Sequence, residues 1–268
     1  KFLTSLTPSK KTTNSKLFPL SARWPKGWLI FKKKFNSEQI TLLKNADELE
    51  EYCYFVAGAV GEMLCNLFLQ EMPNLPASSK QTMLSTAVSF GLGLQITNIS
   101  KDITVDRGRG WSYVPRSYIE TNGLTPEEFH AGASTVNDLK VLESLLNKTV
   151  GHLNDALEFT MAIPRSNIRA RLFCIWPLWM AMETVAVLHN NHDLLKSDVN
   201  VKISRQTVRG ILRRTPFICW SNGLLKQSFE NILKRKEFNN PERFSLYELK
   251  QRLSNLVLDK IPQKPKAA

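Results

Sequence analysis

Two aspartates, Asp102 and Asp106, stand four residues apart at the end of a nearly uncharged run, TMLSTAVSFGLGLQ. Gln95 and Asn98 precede them, and Lys101, Arg107 and Arg109 surround them. At about 100° per residue, Gln95, Asn98, Asp102 and Asp106 project within about an 80° arc of one helix, with Gly91 on the same side. Carboxylates at i and i+4 repel each other modestly on an isolated helix, and become useful when they share a hard divalent cation. Oxygen ligands suit Mg²⁺, which takes one or two carboxylates and leaves its other positions to water and phosphate. The three neighbouring cations are donors for phosphate oxygens. A solvated helix end accounts for a bare D-x-x-x-D. The full string, with its amide pair and its cations, points to a site for Mg²⁺ and a diphosphate.

The elements that must hold this string are helical. Asn45-Ala-Asp-Glu48 is a capping box that opens a helix to about Gln70, closed by Pro73. A second helix is expected from near Ser78 to about Asp106, carrying the acidic face. Thr125-Pro126-Glu-Glu128 is a further helix start, with proline at the first helical position. Helices are expected over Val136–Ala162, Asn167–His189, Ser204–Arg214, Phe217–Lys236 and Ser245–Val257, the last opened by Ser245 and Glu248. Strand signals are scarce and no low-complexity linker divides the chain. The expectation is an all-α fold, one domain of long, mostly antiparallel helices over residues 35–260, with a short tail at 261–268.

Charge and cysteine usage narrow the partners. The net charge of +12 calls for something acidic: nucleic acid, anionic lipid or a phosphorylated substrate. No aromatic–glycine RNA-binding signature and no zinc-finger spacing is present, so no nucleic-acid partner is expected. Cys53, Cys65, Cys174 and Cys219 sit singly, which argues against a zinc site or a disulfide framework and fits a reducing compartment. From Lys1 to Lys34 there are nine basic residues and no acid, a composition expected of a poorly ordered segment. No stretch is read as a membrane span: the most apolar one, from Phe173, is broken by Pro177 and Glu183. A cytoplasmic protein held peripherally at anionic membranes is the expected location.

The string Q-x-x-N-x-x-K-D-x-x-x-D followed by G-W-S-Y-V-P resembles the second aspartate-rich motif of the squalene/phytoene synthase family. YCYFVAGAVG, from Tyr52 to Gly61, is similar to that family's other signature, and RLFCIWPLWMA from Arg171 and VKISR from Val201 also look familial. The resemblance runs from about Asp47 to Arg213. It implies an isoprenoid synthase-like helical bundle in which two prenyl diphosphates condense head to head, assisted by Mg²⁺. Asp102 and Asp106 would then be metal ligands, with Asn98 as a helper, and Gln95 would line the pocket centre. Tyr52 would match the tyrosine that handles a proton or stabilises a carbocation, and Phe173 a pocket aromatic. Val56 and Gly61 would belong to the substrate pocket. Ala57, Gly58, Ala59 and Gly61 leave room for something close to the backbone, either a neighbouring helix or an isoprenoid chain. Lys202 and Arg205 resemble basic residues used near a phosphate or nicotinamide, which adds NADPH as a cofactor on the squalene branch.

Two departures accompany the resemblance. The family usually has Gly-Arg where this chain has Gly110-Trp111, so the missing charge is expected from Arg107 or Arg109. The family's first aspartate-rich motif has no counterpart before Asp47, where the only acid is Glu38, so half of the family's metal site is absent from this sequence. The leading expectation is squalene-type condensation of farnesyl diphosphate, tipped by VKISR and HNNHDLL. The alternatives are phytoene or dehydrosqualene synthesis, or a non-catalytic relative acting in assembly or lipid binding.

Overall fold

The computed structural model describes residues 41–196, 201–234, 238 and 244–258. The basic segment at 1–34 and the tail at 261–268 lie outside the described residues. A two-residue strand β1 (Thr41–Leu42) leads to helix α1 (Ala46–Cys53), a π-helical turn (Tyr54–Gly58) and α2 (Ala59–Glu71). Then come α3 (Ala77–Lys101), α4 (Ile103–Gly108), β2 (Trp111–Ser112), α5 (Arg116–Thr121), α6 (Pro126–Ala131) and α7 (Val136–Ala162). The chain continues with α8 (Ile168–Leu188), α9 (Arg205–Ile218), α10 (Asn222–Lys234) and α11 (Leu246–Leu258). The fold is all-α, as expected; the strands form only a two-residue parallel pair, Thr41 beside Trp111 and Leu42 beside Ser112.

The helix starts follow local chemistry. The Asn45 side chain accepts from the Glu48 amide at 3.0 Å, and Thr125 and Thr135 both close capping boxes, with Glu128 and Asp138. Helix α3 is the axis of the bundle. It packs along α7 and also touches α2, the π turn and α8, so its buried residues lie all round it rather than on one stripe.

Three expectations are corrected. The first helix does not run unbroken to Gln70: its register opens into the π turn at Tyr54–Gly58, a bulge of the kind found at functional sites. The acidic helix breaks at Asp102 (φ −100°, ψ 15°), where Ile103, Thr104 and Val105 form a β-branched run that disfavours the helix. The third concerns α9, which passes through Pro216 to Ile218 instead of ending at Arg214. Pro216 has no amide to donate to the carbonyl of Leu212, and Leu212 is exposed, so the helix tolerates the loss. The break falls instead at Ser221, whose hydroxyl accepts from the Leu224 amide at 3.3 Å. The expected end at Lys236 lies outside the described residues.

Two stretches, Ala46–Glu71 and Ile168–Leu188, are long and apolar enough to cross a membrane, which corrects the reading that none is. Ile168–Leu188 keeps that character in spite of Pro177 and Glu183. Ile168–Leu188 is mostly buried, 61% of its apolar window, as a core helix would be; Ala46–Glu71 is much less covered, at 28%. All four cysteines are buried and free.

Candidate active site

The carboxylates sit where α3 gives way to α4. Helical bonding carries across the break, with the Asp102 amide on the Asn98 carbonyl and the Asp106 amide on the Asp102 carbonyl, each at 2.9 Å. The two aspartates therefore stay one turn apart. Their surroundings differ: the Asp102 side chain is 40% exposed and Asp106 only 14%. Burial, then the charge of Asp102, pushes the Asp106 carboxyl up to about 6, against a counter-pull from Arg109. Lys101 lies 3.3 Å from Asp102, and Arg109 3.5 Å from Asp106.

Arg107 is not part of this group. Its guanidinium donates to the carbonyls of His130 and Leu195, both at 3.0 Å. Of the two arginines expected to supply the charge missing at Trp111, only Arg109 stands by a carboxylate. Asn98 is exposed and Gln95 half-buried on the same helix. Lys202 and Arg205 are exposed at the entry to α9. No hydrogen bond or ion pair links either of them to Asp102 or Asp106 among the described residues.

Tyr52 is buried against a partner the sequence reading passed over. Its ring stacks on Tyr113, centroids 4.7 Å apart and 23° from coplanar. The two phenols share a hydrogen bond. Burial, then that bond, push the Tyr52 phenol far above its usual range, so it is neutral in the folded chain. The Asp106 charge bears on both phenols, which ties the tyrosine pair to the carboxylates. Tyr113 comes from G-W-S-Y-V-P, a string quoted for its resemblance alone. The strand pair delivers it, together with amide bonds from Arg116 and Ser117 to the carbonyls of Leu43 and Lys44.

On the other side of the π turn lies an apolar cavity of about 300 Å³. Val56, Gly61 and Phe173, three expected pocket residues, line it together with Gly91, Leu94 and Phe159. The close approach inferred from the small residues is between helices. A Cβ on Gly61 would fall 2.2 Å from the Ala87 carbonyl oxygen, and one on Gly91 2.4 Å from that of Ala57. The glycines let α3 meet the π turn and α2 backbone to backbone, and the cavity opens beside that crossing.

Along α3, the cavity-lining Leu94 and Asp102 are eight residues apart, a rise of about 12 Å. Apolar space, the Gln95 amide and the carboxylate pair thus follow one another along α3 and across its end into α4. Residues 34–207 match the family described as squalene/phytoene synthase. The chain belongs to that family. It is 27% identical to the squalene synthase of Rattus norvegicus over 215 residues, which are 80% of this chain and 49% of that protein. It is 33% identical to squalene synthase ERG9 of Candida albicans over 183 residues, 65% of this chain and 38% of that one. The chloroplastic phytoene synthase of Daucus carota is 27% identical over 156 residues, 57% of this chain and 37% of that one. The solved complex of TcSQS with the ligand BPH1237 superposes with a TM-score of 0.67 at 20% identity, over 88% of this chain and 65% of that one. That likeness establishes the fold, the all-α squalene synthase type. The chain spans about half the length, or less, of the curated relatives it matches.

Proposed function

We propose that this chain acts in the head-to-head condensation of two prenyl diphosphates, squalene-type, with farnesyl diphosphate as substrate. The observation that carries the reading is the order of environments from α3 across its end into α4: apolar cavity, Gln95, then the paired carboxylates. A prenyl diphosphate is a long apolar chain with one highly charged end, and this surface offers both halves in that order. The cavity lies at the small end of the range for ligand pockets.

The donor set fits Mg²⁺. Burial, then the Asp102 charge, raises the Asp106 carboxyl, a strain that a shared cation relieves, and Asp102 is open to water. When bound, the cation supplies charge neutralisation for a departing diphosphate. Lys101 and Arg109 stand at the rim as phosphate donors. The neutral Tyr52–Tyr113 pair beside Asp106 offers π density and a hydroxyl rather than a base.

One observation favours a second reading. Among the described residues no group of three or more His, Cys, Asp or Glu converges as a metal cluster, so one carboxylate pair stands alone. A lipid-binding or assembly role without catalysis fits that. The deciding assay incubates the protein with farnesyl or geranylgeranyl diphosphate and Mg²⁺, with and without NADPH, and identifies products by mass spectrometry. A C30 product, reduced to squalene when NADPH is present, is the expected result; a C40 product indicates phytoene synthesis. A form extended upstream with a D-x-x-x-D helix is assayed in parallel. Ligand binding without product in both forms establishes the non-catalytic reading.

A further inference from the structure

From Val201 to Phe229 the chain carries Lys202, Arg205, Arg209, Arg213, Arg214 and Lys226 and no acid at all. On α9, Ile211 and Thr215 are buried, and α9 packs on α8. Arg205, Arg209 and Arg213 recur every fourth residue and share an arc of about 80° on the other face, exposed to solvent. Like charges at that spacing repel along a helix. None of the three has a carboxylate partner among the described residues. Among the described residues this strip has no complement of its own.

The same face ends in exposed apolar side chains. Phe217 is 76% exposed and Trp220 55%, with Leu212 and Leu224 also out in solvent. The Trp220 indole N–H donates to the Phe217 carbonyl at 2.7 Å, so what remains of that ring for a partner is apolar. Arginines on one strip with aromatic and leucine side chains at its end make an element suited to the boundary between headgroups and acyl chains.

We propose that α9 and the Phe217–Trp220 corner dock on an anionic bilayer, with arginines on lipid phosphates and the apolar side chains below them. A polyphosphate such as RNA would also meet the arginines, but it has no use for Leu212 and Leu224 beside the rings. The placement has a second consequence. Trp176 of α8 donates through its indole N–H to the Thr215 hydroxyl of α9 at 3.0 Å. Its helix neighbours Phe173 and Pro177 line the apolar cavity, and Phe173 is 54% exposed. The docked helix is thereby tied, through Trp176 of α8, to one wall of the cavity.

The test is co-sedimentation with phosphatidylcholine vesicles, with and without phosphatidylserine, at low and high salt. Binding is expected only with phosphatidylserine, and is expected to fall as salt rises. The double variant Arg209→Gln/Arg213→Gln should bind about 25-fold more weakly, roughly fivefold for each arginine. Phe217→Ser/Trp220→Ser should also weaken binding, and thermal melts of both variants should match the parent. Blue-shifted tryptophan emission on vesicles, lost in Trp220→Phe, would place that ring in the bilayer. Unchanged vesicle binding by both double variants overturns the proposal, as does binding to RNA in place of vesicles. Because the readout needs no turnover, an inactive protein that docks refutes only the catalytic reading, and an active one that does not dock refutes only this one.

Discussion

Asp106 is the residue on which the site's chemistry and its stability pull in opposite directions. Its carboxyl is raised from 3.8 to about 6 by burial and by Asp102. A raised acid holds its proton more tightly folded than unfolded, so its contribution to stability is best at low pH and is lost as pH rises from about 4 to 6. Asp106→Asn should therefore raise the melting temperature at pH 7 and leave it nearly unchanged at pH 4. The metal asks for the opposite, an ionised carboxylate. Mg²⁺ affinity, measured calorimetrically, should fall about tenfold per pH unit below 6. Asp102→Asn should abolish turnover while the fold persists, since relieving the repulsion costs the helix nothing. A variant that unfolds, or one that stays fully active, overturns the assignment. Tyr113→Phe and Tyr52→Phe each break the bond between the two phenols and should each cost about 1–3 kcal/mol, read by denaturant titration.

At the scale of elements, the crossing of α3 with the π turn and α2 decides the geometry of the cavity. Propensity alone says that alanine for glycine inside a helix stabilises by up to about 1 kcal/mol. At Gly91 the new Cβ would sit 2.4 Å from the Ala57 carbonyl oxygen, so backbone must move, at a cost of about 3 kcal/mol. The clash wins, and Gly91→Ala should destabilise by about 2 kcal/mol net and impair ligand binding. Gly210, on α9, has nothing within 4 Å of the corresponding position. Gly210→Ala should therefore stabilise, by about 0.5–1 kcal/mol. Opposite signs for one substitution at two helical glycines, read by circular dichroism in urea, test the crossing directly.

At the scale of the whole molecule, Glu50 joins distant parts of the chain. Its buried carboxylate meets Lys148 of α7 at 2.7 Å and also pairs with Arg252 of α11, which reaches Asp47 at 3.1 Å as well. His152, beside this group, is buried and held down to about 3, so it is neutral where it packs. A lowered histidine penalises the fold as pH drops below about 6.5, because only the unfolded chain takes the proton there. Removing one partner from a buried pair costs far more than removing a surface one. Arg252→Ala should cost about 3 kcal/mol and loosen α11, visible as faster proteolysis there. Lys250→Ala breaks the exposed contact with Glu62, so its cost should stay below about 1 kcal/mol.

By itself the sequence determined the all-α class, the main helix starts, and the placing of Gln95 and Asn98 on one long helix just ahead of the two aspartates. Those are local properties: capping and side-chain direction repeat over three or four residues, within reach of a periodicity argument. The resemblance also brought out Val56, Gly61 and Phe173, which the structure gathers around one cavity although they come from the π turn, α2 and α8. Only the tertiary structure decided that Arg107 turns to His130 and Leu195 while Arg109 stays with Asp106. It also brought Tyr113 onto Tyr52, 61 positions away, through a strand pair too short to leave a pattern. The glycines of YCYFVAGAVG left two partners open, and the backbone of α3 proved to be one of them. Each of these outcomes depends on which distant segment arrives next to a residue, and that is set by packing the whole bundle rather than by the residue's neighbours in the chain.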